Sequence, residues 1–421
     1  MRVRRVRAGR FLRSAKSRIR AGRVPEVSIV RPGRAQISAA LLLAGIAFVL
    51  TGCRPHDFPQ YPPNYREFAY VPNGGSGTVT ILDVVNVRVD RELAVGQNPM
   101  AVAASPTRNE VYVLNSGATG GNGSISVIDT QRNAVAATIP VGRQPASIDV
   151  DPKGKLAVVA NSGSNSVSVI DLAARREVAR IGTGEEPIGA RLAPDGNTLV
   201  VANRRANSVT LIDPKSGKVR AVFGDCPGAA DPVVLPDSSK AFVACSGGHQ
   251  VMVIALARKG DDADGPPAPE PDRLETLMDV GRAPVDLALK PDGGEIFVSN
   301  SLSDSVSEIY NTTDEVGDTF VIGDDPVLAL VSRDNSLLYV ANQRSQYVTL
   351  YSIDDGKRIG SLHVGDGPAA MAFSVAGHLL FVVDSRSGDV AVVRVASESL
   401  FTMLPTGRNP DAIAVKAFVA Q

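Results

Sequence analysis

Along most of this chain the apolar residues do not thin out into a regular polar-apolar alternation. They come in short runs bounded by Gly, Pro, Asn and Asp, such as ASIDV (146–150), LAVVA (156–160), VSVID (167–171) and VARIG (178–182). Runs this short, rich in β-branched residues and closed by turn formers, predict β-strands. Several are apolar on both faces, which suits strands covered on both sides. DPKG (151–154), APDG (193–196) and KPDGG (290–294) predict tight turns, since Pro presets φ and Gly admits positive φ.

The same set of runs returns along the chain. Residues ending a V-x-N element or its equivalent fall at Asn73, Asn115, Asn161, Asn203, Cys245, Asn300, Asn342 and Asp384, at intervals of 42, 46, 42, 42, 55, 42 and 42. A second marker, G-x-x-P, keeps step: Gly96, Gly142, Gly184, Gly281, Gly323 and Gly365 each precede the next anchor by 19 residues, and Gly224 precedes Cys245 by 21. Four strands in a repeat of ~40–45 residues mark an all-β propeller, in which no single blade can bury its own faces. The first unit supplies three strands (FAYVPN, VTILD, RELAVG) and the end of the chain supplies one (PDAIAVKAF). With seven complete units between them, the expectation is eight four-stranded blades, the ring closed by both termini. Seven blades is the alternative if the first segment packs outside the ring.

LYVAN (338–342), SVSVID (166–171) and PDGNTLVVAN (194–203) resemble the bacterial YVTN β-propeller repeat family, over roughly Phe68 to Val419. The chain departs from that pattern where Arg333 and Val375 replace Pro in the last two a–b turns. The Asp of SVSVID, present as Asp83, Asp129, Asp171 and Asp213, gives way to Ala255, Tyr310, Ser352 and Arg394. An Asp that can be lost blade by blade reads as a turn cap. The resemblance also brings in propellers that hydrolyse lactones through channel-facing acids, with or without a metal. Trp docking motifs of the quinone-cofactor propellers are missing, as the chain has no Trp.

The N-terminal segment has a different chemistry. Residues 1–36 hold eleven Arg and one Lys against Glu26, and Ile37–Leu50 follow without a charge. Fourteen residues fall short of the ~20 that a spanning helix needs. A basic region, a short apolar core and a small-residue exit instead predict a secretory signal over 1–52. LTGC (50–53) resembles the lipobox of bacterial lipoproteins, which implies that Cys53 becomes the lipidated first mature residue. Two or three acyl chains, at ~0.8 kcal/mol per buried CH₂, would hold the chain on a membrane. Arg54 after Cys53 favours an outer-membrane destination facing the periplasm. Four prolines within RPHDFPQYPPNYRE make 53–67 a semi-rigid tether before the propeller at 68–421.

Formal net charge is zero, but the leader carries twelve of 44 bases and one of 44 acids. The remainder, 32 basic and 43 acidic residues, is net −11, which excludes nucleic acid as a natural partner. The expected partners are the membrane, through Cys53, and an envelope protein or small ligand bound by a monomeric propeller.

Binding chemistry is expected where the turns before each blade and the turns after each anchor share one face. The candidate face comprises Arg143, Glu185, Glu186, Arg204, Arg205, Asp225, Arg282, Asp324, Asp325, Arg344, Asp366, Arg386 and Arg408. Charged turns of this kind serve either a polarised binding surface or simply a solvated rim. No cofactor is implied, though Glu185, Glu186, Asp324 and Asp325 offer oxygen ligands to a divalent cation. Cys226 and Cys245 sit side by side in an antiparallel hairpin and suggest a disulfide in an exported protein. A metal or redox pair with His249 is the other reading. DDADGPPAPEPD, in the insert 258–272, starts like a calcium loop but lacks the closing Glu, and reads as a loop on the opposite face. His56, His249, His363 and His378 have no ligand spacing, and neither C-x-x-C-H nor G-x-S-x-G occurs. The function these features favour is a lipid-anchored binding scaffold. A lactonase-type hydrolase and an accessory subunit of a periplasmic redox enzyme are the alternatives.

Overall fold

The computed structural model describes residues 59–257 and 271–420. The signal segment, Cys53, the first part of the tether and residues 258–270 of the insert lie outside the described residues. Among those described, thirty-two strands form eight antiparallel sheets of four. Seven sheets take their strands a–d in chain order; blade 3, for instance, is Pro145–Val150, Leu156–Asn161, Ser166–Asp171 and Arg176–Gly182. Blade 1 is the composite one. Its strand a is the last strand of the chain, Ala414–Val419, paired antiparallel with strand b, Tyr65–Asn73. The ring therefore closes as an eight-bladed propeller. Strand b of blade 1 begins at Tyr65, three residues ahead of the boundary expected at 68, because Tyr65 already pairs with Val419.

Eight buried apolar clusters hold the ring together, one at each seam between neighbouring blades. Alternate residues of one strand feed two seams. Val159 packs with Tyr112, Leu114 and Ile125 of blade 2, whereas Val158 and Ala160 pack with Leu199 and Val201 of blade 4. This explains runs that are apolar on both faces: each b strand has a blade against each side. Ring closure uses the same device, with Phe418 in one seam and Val415 in the other.

The repeated Asn works beneath the turns. Asn161 Nδ2 donates to Ser168 Oγ at 2.9 Å, Asn203 to Thr210 Oγ1 at 2.8 Å and Asn300 to Ser307 Oγ at 3.0 Å. These bonds tie the end of strand b to strand c inside the blade, where an unpaired amide would be costly. The G-x-x-P glycine closes over that amide. A Cβ at Gly142 would lie 2.5 Å from Asn161 Cγ, which leaves room only for Gly. The SVSVID aspartates cap the c–d turns: Asp171 Oδ1 accepts from Ala174 N at 2.8 Å, and Asp213 Oδ1 from Lys215 N at 2.9 Å.

Candidate functional site

One end of the ring, here the upper face, carries the turns that lead into strand a and those that follow strand b. Within each blade these two turns are zipped by backbone hydrogen bonds. Ser162 N donates to Gln144 O, Arg204 N to Glu186 O, Gln343 N to Asp325 O and Ser385 N to Gly367 O, at 2.8–3.0 Å. A second tie runs to the next blade. Asn165 Oδ1 accepts from Glu186 N, Asp304 Oδ1 from Asp325 N, and His249 Nδ1 from Ala283 N at 3.2 Å. His249 is thus a link between blades, and the structure gives it this role instead of a place beside the cysteines' sulfurs. The upper face is a fixed frame, so its side chains project from defined positions.

The expected charges on that frame are exposed or half-buried, but they pair locally. Arg386 Nη2 lies 2.9 Å from Asp366 Oδ1 and Arg344 Nε 3.2 Å from Asp325 Oδ2. Arg205 and Arg204 approach Glu185 and Glu186 at 3.8 and 4.0 Å. Each pair joins the two upper turns of a single blade. Arg282 instead donates to Leu302 O at 2.7 Å. Arg143, Asp225, Asp324 and Arg408 are exposed and form no ion pair among the described residues. Acids and bases are therefore interleaved within blades 4, 7 and 8 of this face. The four-carboxylate cation set is not assembled. Glu185 and Glu186 precede blade 4 and Asp324 and Asp325 precede blade 7, and no metal-holding group of three His, Cys, Asp or Glu occurs among the described residues.

Blade 5 departs from the frame. Cys245 stands where six of the other blades place Asn, and its sulfur is bonded to Cys226, with Cα atoms 4.8 Å apart. Strand c correspondingly offers Gln250 and Met252 in place of the Ser and Thr that accept from Asn. The disulfide takes over the joint between strand b and the upper turn. Closing a loop whose ends are separated by 19 positions in sequence contributes about 3 kcal/mol. A Cys226→Ser/Cys245→Ser variant should accordingly melt several degrees lower, with reductant shifting only the parent. Identical melts would show that apolar packing alone holds this joint.

The a strands, innermost in each blade, line the channel, and here the structure brings together side chains that the repeat had not singled out. Strands a of blades 3 to 6 (Pro145–Val150, Pro187–Leu192, Ala229–Val234, Pro284–Leu289) contribute Asp149, Arg191, Asp231 and Asp286. Arg191 lies between two carboxylates, 3.4 Å from Asp149 and 3.6 Å from Asp231, and its Nε donates to Pro232 O at 3.3 Å. The carboxylates also accept from backbone amides of the following blade: Asp149 from Leu192 N and Asp286 from Ala329 N, both at 2.8 Å. They satisfy the inner edge of a sheet that has no further strand to pair with. A cavity of about 230 Å³ opens here, lined among others by Ser147, Ile188, Arg191, Arg204 and Asp231.

Two carboxylates flank the guanidinium, and Asp286 acts on it only through its charge. Burial opposes the charge on Arg191, but Asp149 and Asp231 outweigh it and hold its pKa above the ordinary value. Burial pushes Asp231 up despite Arg191. Burial, reinforced by Asp231, pushes Asp286 up to about 8. Strand a of blade 7 (Pro326–Val331) and strand a of blade 8 (Pro368–Phe373) carry no charge, whereas strand a of blade 1 carries Lys416, whose Nζ donates to Ser105 O at 2.6 Å. A sequence signal for the cluster existed in ASIDV, GARL, AADPV and VDLAL, each an innermost strand carrying a charge. Nothing local distinguishes a channel-facing charge from one at a strand end.

A profile of YNCE-like β-propellers matches residues 47–189 and 157–258 of the chain. No curated protein matches. Among solved structures, dihydro-heme d1 dehydrogenase NirN in complex with DHE is similar at 17% identity and a TM-score of 0.66, over 87% of this chain and 78% of that one. Apo AztD from Citrobacter koseri is similar at 13% identity and 0.61, over 84% and 98%. Kuenenia stuttgartiensis hydrazine synthase is similar at 22% identity and 0.52, over 78% and 92%. Likeness at this level of identity is likeness of fold.

Proposed function

The chain belongs to the YNCE-like β-propeller family, and from that premise we propose that it is a lipid-anchored scaffold of the cell envelope that binds a partner through its upper face. The observation that carries the reading is the zipped frame: charged side chains of blades 4, 7 and 8 stand on paired turns whose backbones are tied within and between blades. A rigid scaffold that presents polar side chains on turns suits recognition, because little ordering entropy is lost on binding. The local ion pairs suit it too. An exposed pair contributes only ~0–1 kcal/mol, so a partner's charges can replace one half at small cost. The basic leader, its apolar core and LTGC support export and acylation at Cys53.

Crosslinked purification of the tagged protein from its native membranes tests this, run beside a folded variant with Glu185, Glu186, Asp324 and Asp325 changed to Lys. We expect a partner that is captured by the parent and lost from the variant. Equal capture by both, or capture by neither, would remove the upper face as the binding surface. Labelling with a fatty-acid analogue should mark the parent and leave Cys53→Ser unmarked.

A further inference from the structure

The opposite end of the ring carries a basin that the upper-face reading does not use. It measures about 570 Å³ and lies across blades 2 to 4, with Arg108, Lys153, Lys155 and Lys215 around Leu156 and Leu192. Each cation comes from a different position in the a–b or c–d turns. Lys215 Nζ donates to Asn197 Oδ1 at 2.7 Å, while Arg108, Lys153 and Lys155 form no ion pair among the described residues. Acids of the same turns are engaged with backbone. Asp151 Oδ1 accepts from Lys155 N and Leu156 N at 2.6 and 2.8 Å, Asp171 from Ala174 N, and Asp195 from Asn197 N, both at 2.8 Å. Those carboxylates close their own turns, and the cationic side chains remain available above them.

The other blades supply an internal comparison. At the third residue of the a–b turn, blades 4 to 7 carry Asp195, Asp237, Asp292 and Asp334; blade 3 carries Lys153. At the fifth residue those blades carry Asn197, Ser239, Gly294 and Ser336; blade 3 carries Lys155. Blade 2 places Arg108 at the fourth residue, where the same blades have Gly196, Ser238, Gly293 and Asn335. The turn needs none of these cations in order to form. Three of them nevertheless occur in two adjacent blades and line one cavity, on a body that is net acidic.

We propose that this basin binds a small phosphate-bearing molecule. Cations drawn from separate turns reach a multivalent oxyanion together, whereas a single carboxylate offers too little charge to engage more than one or two. Lys meets phosphate as a point charge and Arg through its fork, so the mixed set suits that group. The leucines beneath the cations provide an apolar floor for the rest of the ligand. The phosphate has two natural sources, a soluble metabolite or a lipid headgroup. The second is within reach, because the chain enters the propeller at this end: Tyr61 Oη lies 3.0 Å from Nε2 of His378, in an a–b turn.

The test uses the full chain in neutral detergent. One arm titrates inorganic pyrophosphate and the other short-chain phosphatidylglycerol, with phosphatidylcholine as the zwitterionic control. Lys153→Asp with Lys155→Asn installs the residues of blade 4 and should keep the fold, which a thermal melt checks. We expect affinity in one arm to fall by about tenfold or more in that variant, to survive in Lys153→Arg, and to weaken as salt rises. Loss in the first arm identifies a soluble ligand and loss in the second a headgroup. No binding in either arm, or binding that the variant leaves unchanged, would overturn the proposal.

Discussion

Ending the chain at Asn409 should abolish cooperative folding of the propeller. The deletion removes strand a of blade 1, so Tyr65–Tyr70 lose their pairing with Ala414–Val419 along the inner edge. It also strips Phe418 from the seam with blade 2, and Ile413 and Val415 from the seam with blade 8. Burying Phe418 contributes roughly 1.5–3 kcal/mol, and the partly buried Ile413 and Val415 contribute less each, so the three together reach about 3–5 kcal/mol. Domains are stable by only ~5–15 kcal/mol, and the broken ring in addition exposes two seams to water. Thermal unfolding followed by circular dichroism should lose its single sharp transition, and a synthetic peptide spanning 410–421 should restore it. A truncated protein that melts like the parent would mean that seven blades suffice and the composite blade is an accessory.

The second large effect concerns pH. Asp384 stands where six other blades have Asn; it is fully buried, and its Oδ2 accepts from Gly365 N at 2.9 Å. Burial, aided by nearby Asp389, pushes its pKa up to about 8, and burial with Asp231 does the same to Asp286 in the channel. An unfolded Asp titrates near ~3.9, so between about pH 4 and pH 8 the folded state holds more protons than the unfolded state. Stability must then fall as pH rises through that window, because protonation favours the fold. Asp384→Asn removes one of these protons from the balance and restores the amide donor of the repeat. We expect the variant to melt a few degrees above the parent at pH 8, a gain of about 1–3 kcal/mol, and to match it near pH 4. A constant difference across the whole range would show that the gain comes from the hydrogen bond and not from the proton.

The period of the repeat and the order of strands could be read from the chain, as could the role of the Asp at the c–d turn. These depend on contacts between neighbours in sequence. A Gly that must sit against an Asn, 19 residues apart in a hairpin, leaves a trace at fixed spacing, and so does a Pro that opens strand a. The composite blade was legible for the same reason, since three strands at one end and one at the other complete a count. Cys226 and Cys245 keep that 19-residue spacing although they break the Asn pattern.

The upper face was legible only as a set of positions. Which Arg meets which acid depends on the zipping of two turns within each blade, and that geometry converts an expected polarity into interleaved pairs such as Arg344 with Asp325. The channel and the basic basin were not legible as sites at all. Asp149, Arg191, Asp231 and Asp286 come from four consecutive blades, 42, 40 and 55 residues apart in sequence, and meet because the ring points each innermost strand at one axis. Arg108, Lys153, Lys155 and Lys215 converge in the same way on the other end. The sequence by itself determined a ring of four-stranded blades with eight as the expected count, because short apolar strands, turn chemistry and seam packing act over tens of residues and repeat. Only the tertiary structure decided which charges share a space, because electrostatic interaction depends on distance and enclosure, and closure of the ring sets both.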